Sequence, residues 1–184
     1  MDWPAILTAQ YPSHPRLGAS EEEIRAMVST LGTPLSAAEI SQISASQRNP
    51  FPSDHPLYAA YKPLNPSCWR LPDKPLPNSY LDFLRWSNGG EYTHGARRFQ
   101  FFSSKELRSY LLSYYIPQYM EMTVPFALNG SGIFYLFNMH ADSDNGEYPI
   151  VVSSAENLDF DDAKVIAKSF DECCLGDTPI ESLL

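Results

Sequence analysis

Thr123-Val124-Pro125-Phe126-Ala127-Leu128-Asn129-Gly130-Ser131-Gly132-Ile133-Phe134-Tyr135-Leu136-Phe137-Asn138 is the stretch that decides the fold. Two apolar runs, Thr123 to Leu128 and Ile133 to Asn138, flank an Asn-Gly-Ser-Gly segment. Asparagine and glycine tolerate the positive φ angles that reverse a chain within a few residues, so the stretch reads as a β-hairpin.

Upstream, Ser103-Ser104-Lys105-Glu106 caps a helix with the stripe Leu107, Tyr110, Leu111 and Tyr114, and Pro117 lies just past its end. Before it, Arg97 to Phe102 reads as a strand. Earlier still, Pro77 to Gly90 reads as a helix with proline near its first turn, Tyr80, Leu81 and Leu84 on one face, and Asn88-Gly89-Gly90 as its stop. Downstream, an Asp-rich loop leads to a strand from Tyr148 to Ser153. A closing helix is expected from about Asp161 to Cys174, with Ile166, Phe170 and Cys173 on one side and Gly176 after its end. Helices first, then a mostly antiparallel sheet with an inserted helix, then a closing helix make an α+β chain rather than a βαβ series.

The segments outside this core differ in composition. Residues 1–49 read as helical: Ser20 and Glu23 form one capping box before Ile24, Met27, Val28 and Leu31, with Gly32 as the stop, and Ser36 and Glu39 form another before Ile40 and Ile43. Residues 50–76, together with Pro77, hold eight of the sixteen prolines, which excludes a long helix or a central strand. Its apolar residues point to an irregular wrap on the core; the rival reading is a binding loop presenting Tyr58, Tyr61 and Trp69. Residues 77–176 form the core and 177–184 a tail, within one structural domain.

The chain has 184 residues, 43 % of them hydrophobic and 19 % charged, with a net charge of −9. Such a composition supports a real core. The negative charge argues against nucleic acid, because backbone affinity comes from Lys and Arg displacing counterions, and the only adjacent basic pair is Arg97-Arg98. It suits solubility, and steering toward a basic partner. Cys68, Cys173 and Cys174 cannot make an ordinary disulfide framework, so reduced thiols in a cytoplasmic protein are expected. Neither a signal peptide nor an apolar run long enough to span a bilayer is visible.

Motifs for phosphate, dinucleotide, zincin and hydrolase chemistry do not occur. His14, His55, His94 and His140 lie far apart, and none has a second ligand at metal spacing, so no metal is expected. Asp142-Ser143-Asp144-Asn145-Gly146-Glu147 superficially suggests a calcium loop, but its glycine comes one residue early and its flanks read as strands. Asn145-Gly146 reads instead as a turn. Asp159, Asp161 and Asp162 suit the first turn of the expected closing helix. With Asp142, Asp144, Glu147 and Glu156 they form either a solvated rim or an acidic face for a basic partner. Trp86, Tyr92, Tyr114 and Tyr115 are further aromatic candidates, some core and some anchors.

Taken in order, Leu76-Pro77-x-x-Tyr80-x-x-Phe83-Leu84, Asn88-Gly89-Gly90, Pro125-Phe126-Ala127, Ile133 to Phe137, Tyr148-Pro149-Ile150-Val151 and Ile166-Ala167-x-Ser169-Phe170-x-Glu172 resemble the SUKH superfamily, in its SMI/KNR-like branch. The resemblance covers roughly residues 70–176 and places Pro77, Tyr80, Asn88, Gly89, Gly90 and Phe170 in structural roles. It implies an α+β fold with a central, mostly antiparallel sheet flanked by helices. It also implies an immunity protein that binds and neutralises a polymorphic or contact-delivered toxin, often a nuclease. Other members are general interaction modules. The resemblance brings no catalytic residue and no cofactor. An enzyme with an unfamiliar site is the remaining alternative.

Overall fold

In a computed structural model, residues 1–10 and 17–183 are described. A single helical turn, α1 (Trp3–Ile6), and a two-residue strand, β1 (Thr8–Ala9), come first. The Ser20 hydroxyl then accepts the Glu23 N–H while the Glu23 carboxylate accepts the Ser20 N–H, which starts α2 (Glu21–Leu31). Ser36 and Glu39 repeat this at α3 (Ala37–Ser46). Each cap serves amides that would otherwise lack an acceptor, a contribution of about 1 kcal/mol. Ile24, Met27 and Leu31 are buried, but Val28 is largely exposed, a correction to the expected stripe. The buried row steps through 24, 27 and 31 and leaves Val28 at its solvent side.

The Pro-rich segment follows the core surface with two 3-10 turns, Tyr58–Ala60 and Pro66–Cys68. The Gln47 amide holds it at Leu64, donating to the carbonyl at 3.0 Å and accepting the N–H at 2.6 Å. α4 (Asn78–Trp86) begins after Pro77 and ends where expected. Beyond it, Gly89 has φ +81° and Gly90 φ +122°, in the region that favours glycine.

The rest of the chain builds one sheet. β2 (Gly90–His94) and β3 (Arg97–Phe101) precede α5 (Leu107–Ser113) and a short α6 (Ile116–Tyr119). β4 (Thr123–Leu128) and β5 (Ile133–Asn138) form the expected hairpin, followed by β6 (Ile150–Ser154), β7 (Lys164–Ala167) and α7 (Phe170–Leu175). Among the described residues the sheet has seven strands in sequence order, and each neighbouring pair is antiparallel.

Pro117 lies past α5, as expected, and sits inside the first turn of α6. Two expectations are corrected here. The Tyr148 strand begins only at Ile150. The closing helix does not start at Asp161; residues 164–167 pair with β6, and the helix begins at Phe170, where the Ser169 hydroxyl accepts the Glu172 N–H. The spacing of Ile166, Phe170 and Cys173 fits a helix, but pairing with the open edge of β6 satisfies more backbone groups there.

Aromatic side chains fill both faces of the sheet. On one, Tyr80 and Phe83 of α4 and Phe170 of α7 interlock with Phe101, Phe126 and Phe137, with centroids 4.3 Å apart for Phe83–Phe101 and 5.2 Å for Tyr80–Phe170. Trp3 closes this layer at 5.5 Å from Phe83. On the other face Phe102 stacks on Tyr110 of α5 at 3.8 Å, and Phe134 meets Tyr114 at 4.8 Å. Alternation along β5 sends Phe134 to one layer and Tyr135 and Phe137 to the other.

Arg108 of α5 ties the N-terminal helices to this core. Its guanidinium forks onto the Glu39 carboxylate at 2.8 and 3.2 Å and donates to the carbonyls of Thr30, Leu31 and Thr33. The pairing holds the Glu39 carboxyl down at about 2, with burial opposing the effect. Arg97, expected only as part of a basic pair, is buried; it donates to the Cys173 carbonyl at 2.8 Å and the Thr178 carbonyl at 3.0 Å, which places a cation at the end of α7. Among the described residues no helix is long and apolar enough to cross a membrane.

Candidate partner-binding surface

The connection between β5 and β6 carries the first group of acids. Asp144 and Glu147 exchange backbone hydrogen bonds at 3.0 and 2.9 Å around Asn145 (φ +53°) and Gly146 (φ +81°). These angles are those of a tight hairpin turn, as the Asn-Gly pair predicts. Asp142 and Asp144 are exposed. Glu147 is not the solvated acid that the sequence suggests. It is half-buried, and its two carboxylate oxygens accept from the Ser79 hydroxyl at 2.5 Å and the Phe170 N–H at 3.1 Å. It therefore joins the first turns of α4 and α7. Beside it, Asp171 has its carboxyl pushed up by burial and then by the Glu147 charge.

The second group lies between β6 and β7 rather than at a helix start. Asp159 accepts the Asp161 N–H at 2.9 Å, and Asp162 accepts from the Asn157 amide at 2.7 Å, so two of these acids shape the loop. Asp161 and Asp142 have no side-chain partner among the described residues. Asp159, Asp161 and Asp162 are all exposed, as is Glu156 at the start of the loop. Phe160, between them, is 37 % exposed and its ring lies 6.1 Å from that of His140 in the other loop. This ring contact brings the two acidic loops together.

The aromatic candidates separate. Trp69 is half-buried, donates to the Gln118 side-chain amide oxygen at 2.8 Å and packs 5.9 Å from Tyr115, so it fastens the Pro-rich segment to the core. Tyr61 is half-buried, and Tyr58 is 45 % exposed beside an exposed Leu57. The contacts of this group run to Asn49, Tyr115 and Gln118, not to the acidic loops. Trp86 and Tyr92 pack into the aromatic core, 5.2 Å apart, while Tyr114 keeps an exposed edge.

The residues expected to be structural sit in the interior. Pro77, Tyr80, Gly89, Gly90 and Phe170 are buried, and Asn88 accepts the Ser104 N–H at 2.7 Å. Burial pushes the ionisation of Tyr80 and Tyr135 far up and that of the Cys173 thiol up to about 12. These shifts belong to packed side chains rather than to a cleft. His94 meets the Ile6 carbonyl at 2.9 Å, and His55 stacks on Phe51; His14 lies outside the described residues. Among the described residues no three His, Cys, Asp or Glu side chains gather as a metal site would require. A groove of about 420 Å³ between α3 and α5 has Ile43 and Leu112 along its apolar wall, and its Arg108 and Glu39 are already paired.

What the surface can do chemically is attract and hold. Exposed carboxylates on adjoining loops carry a negative potential that attracts basic groups. Sequence reasoning missed the exposed Val165, because it falls within the expected closing helix, and Phe160, because only the acids around it drew notice. A Phe set among three aspartates was the available signal that it faces solvent.

The family model described as SMI1 / KNR4 family (SUKH-1) matches residues 70–174. That span runs from the end of the Pro-rich segment to α7 and includes both acidic loops. No curated protein matches the chain.

Proposed function

We propose, from the premise that this chain belongs to the SMI1/KNR4 family (SUKH-1), that it is a non-catalytic immunity protein that neutralises a toxin by binding it directly. The family is one known for toxin-immunity proteins. Membership over residues 70–174 is the observation that carries the reading. The surface supports it. The chain has a net charge of −9, and the loops at 142–147 and 159–162 present exposed aspartates on adjoining ground. Such a face suits a basic protein, and nucleases are basic where they grip a phosphate backbone. The protein acts in the cytoplasm, where its cell would meet an incoming toxin.

The test is growth. Cells expressing the toxin domain encoded by the neighbouring gene should die without this chain and survive with it. Equal death in both cultures, with the chain folded and abundant, would remove the immunity reading and leave a general interaction module.

A further inference from the structure

Val165 and Phe160 are large apolar side chains that reach solvent, one on β7 and one in the loop that leads into it. Val165 is 66 % exposed on β7, the last strand, and Phe160 is 37 % exposed in the loop that leads into it. Side chains like these are ordinary when scattered and informative when rimmed by charge. Here the rim is acidic. Asp159, Asp161 and Asp162 flank Phe160 in sequence, and the His140 contact brings in the loop bearing Asp142 and Asp144. Five exposed aspartates stand against the exposed Lys164 and Lys168.

Two other occupants of this surface are disfavoured by the same residues. A strand added to the β7 edge would need a regular row of free backbone groups. Ile150 pairs with Ala167 and Val151 with Val165, which leaves Ile166 as an unpaired extra residue, a bulge that breaks the row. Lysines at 164 and 168 protect the edge further. A second copy meeting this surface about a twofold axis would set its aspartates against the same aspartates. A basic protein surface suits both the apolar centre and the acidic rim.

We infer that Phe160, supported by Val165, is the anchor of the partner interface, inserting into an apolar depression ringed by Lys and Arg on the partner. This rests on the immunity reading and deepens it. The division of labour follows from physics: a desolvated aromatic anchor governs dissociation, and rim charges govern association.

The experiment measures binding of the full chain to the neighbouring gene's toxin domain by biolayer interferometry. Phe160→Ala should raise the dissociation rate by about 30-fold or more, while a cooperative thermal melt shows the variant still folded, because the ring is partly in solvent. Asp142→Asn with Asp161→Asn should slow association at low salt and leave dissociation nearly as in the wild type. Tyr58→Ala, in the Pro-rich segment, should bind as the wild type does. If Phe160→Ala dissociates no faster than the wild type, the anchor assignment is wrong while the function stands. If the wild type does not bind the toxin domain, the function and the anchor fall together.

Discussion

Replacing Glu39 by Gln keeps the side chain's size and removes the charge that Arg108 grips. The Glu39 carboxyl is held from its ordinary 4.5 down to about 2, first by the Arg108 hydrogen bonds. At about 1.4 kcal/mol per decade this corresponds to roughly 3 kcal/mol. The Glu39 side chain is 28 % exposed, and solvent screening reduces the figure to about 2 kcal/mol. Because the folded value lies below the unfolded one, the stabilisation is complete above about pH 4.5 and is lost as the pH falls toward about 2. Urea melts at about pH 7 should place Glu39→Gln about 1–2 kcal/mol below the wild type, since the amide oxygen keeps part of the contact. Hydrogen exchange should show the loss concentrated in residues 21–46. The gap should close between about pH 4.5 and about pH 2. Equal midpoints at neutral pH, or a gap that survives undiminished in acid, would refute the view that Arg108 and Glu39 fasten the N-terminal helices.

Other outcomes follow from the backbone and the thiols. A Cβ on Gly89 would lie 2.8 Å from the Ser103 nitrogen and 2.9 Å from the Phe101 oxygen, at φ +81°, so Gly89→Val should cost about 2 kcal/mol or more in thermal melts. Gly132 has a similar φ of +84° with nothing within 4 Å, so Gly132→Ala should cost only about 1 kcal/mol; equal losses at the two sites would refute the steric argument. Cys68 is exposed while Cys173 and Cys174 are buried, with the Cys173 thiol pushed up to about 12. An aromatic disulfide reagent should therefore titrate Cys68 quickly in the native protein and the other two only after unfolding.

Where the chain carries its own local instructions, the sequence was legible. The Ser-x-x-Glu boxes placed the starts of α2 and α3, the Pro77 and Asn88-Gly89-Gly90 boundaries placed α4, and the β4–β5 hairpin was read to the residue. What stayed hidden is decided by pairing at a distance. β2 begins at Gly90, the second of the glycines that follow α4, and its Glu-Tyr-Thr-His has too little alternation to declare a strand. β7 was absorbed into a helix because its apolar residues also fit a 3.6-residue period, and only the waiting edge of β6 chooses between the two. The acidic loops were readable from composition. That Glu147 is a fastening between α4 and α7 was not, because its partners Ser79 and Phe170 lie 68 and 23 residues away.

The most direct test of the central claim is the association rate with the proposed toxin partner, followed across salt concentration. Asp142 and Asp144 are exposed and can be reversed to Lys together, while Glu147 stays in place to preserve the fold. Salt screens such charges over about 8 Å at physiological ionic strength. The account predicts that the wild type associates fast at low salt and slows steeply as salt rises. The double reversal should start several-fold slower and change little with salt, the two curves meeting near about 1 M. Equal rates at every salt concentration would contradict it: the acidic face would then be a solvated rim, and the interface would lie elsewhere on the molecule.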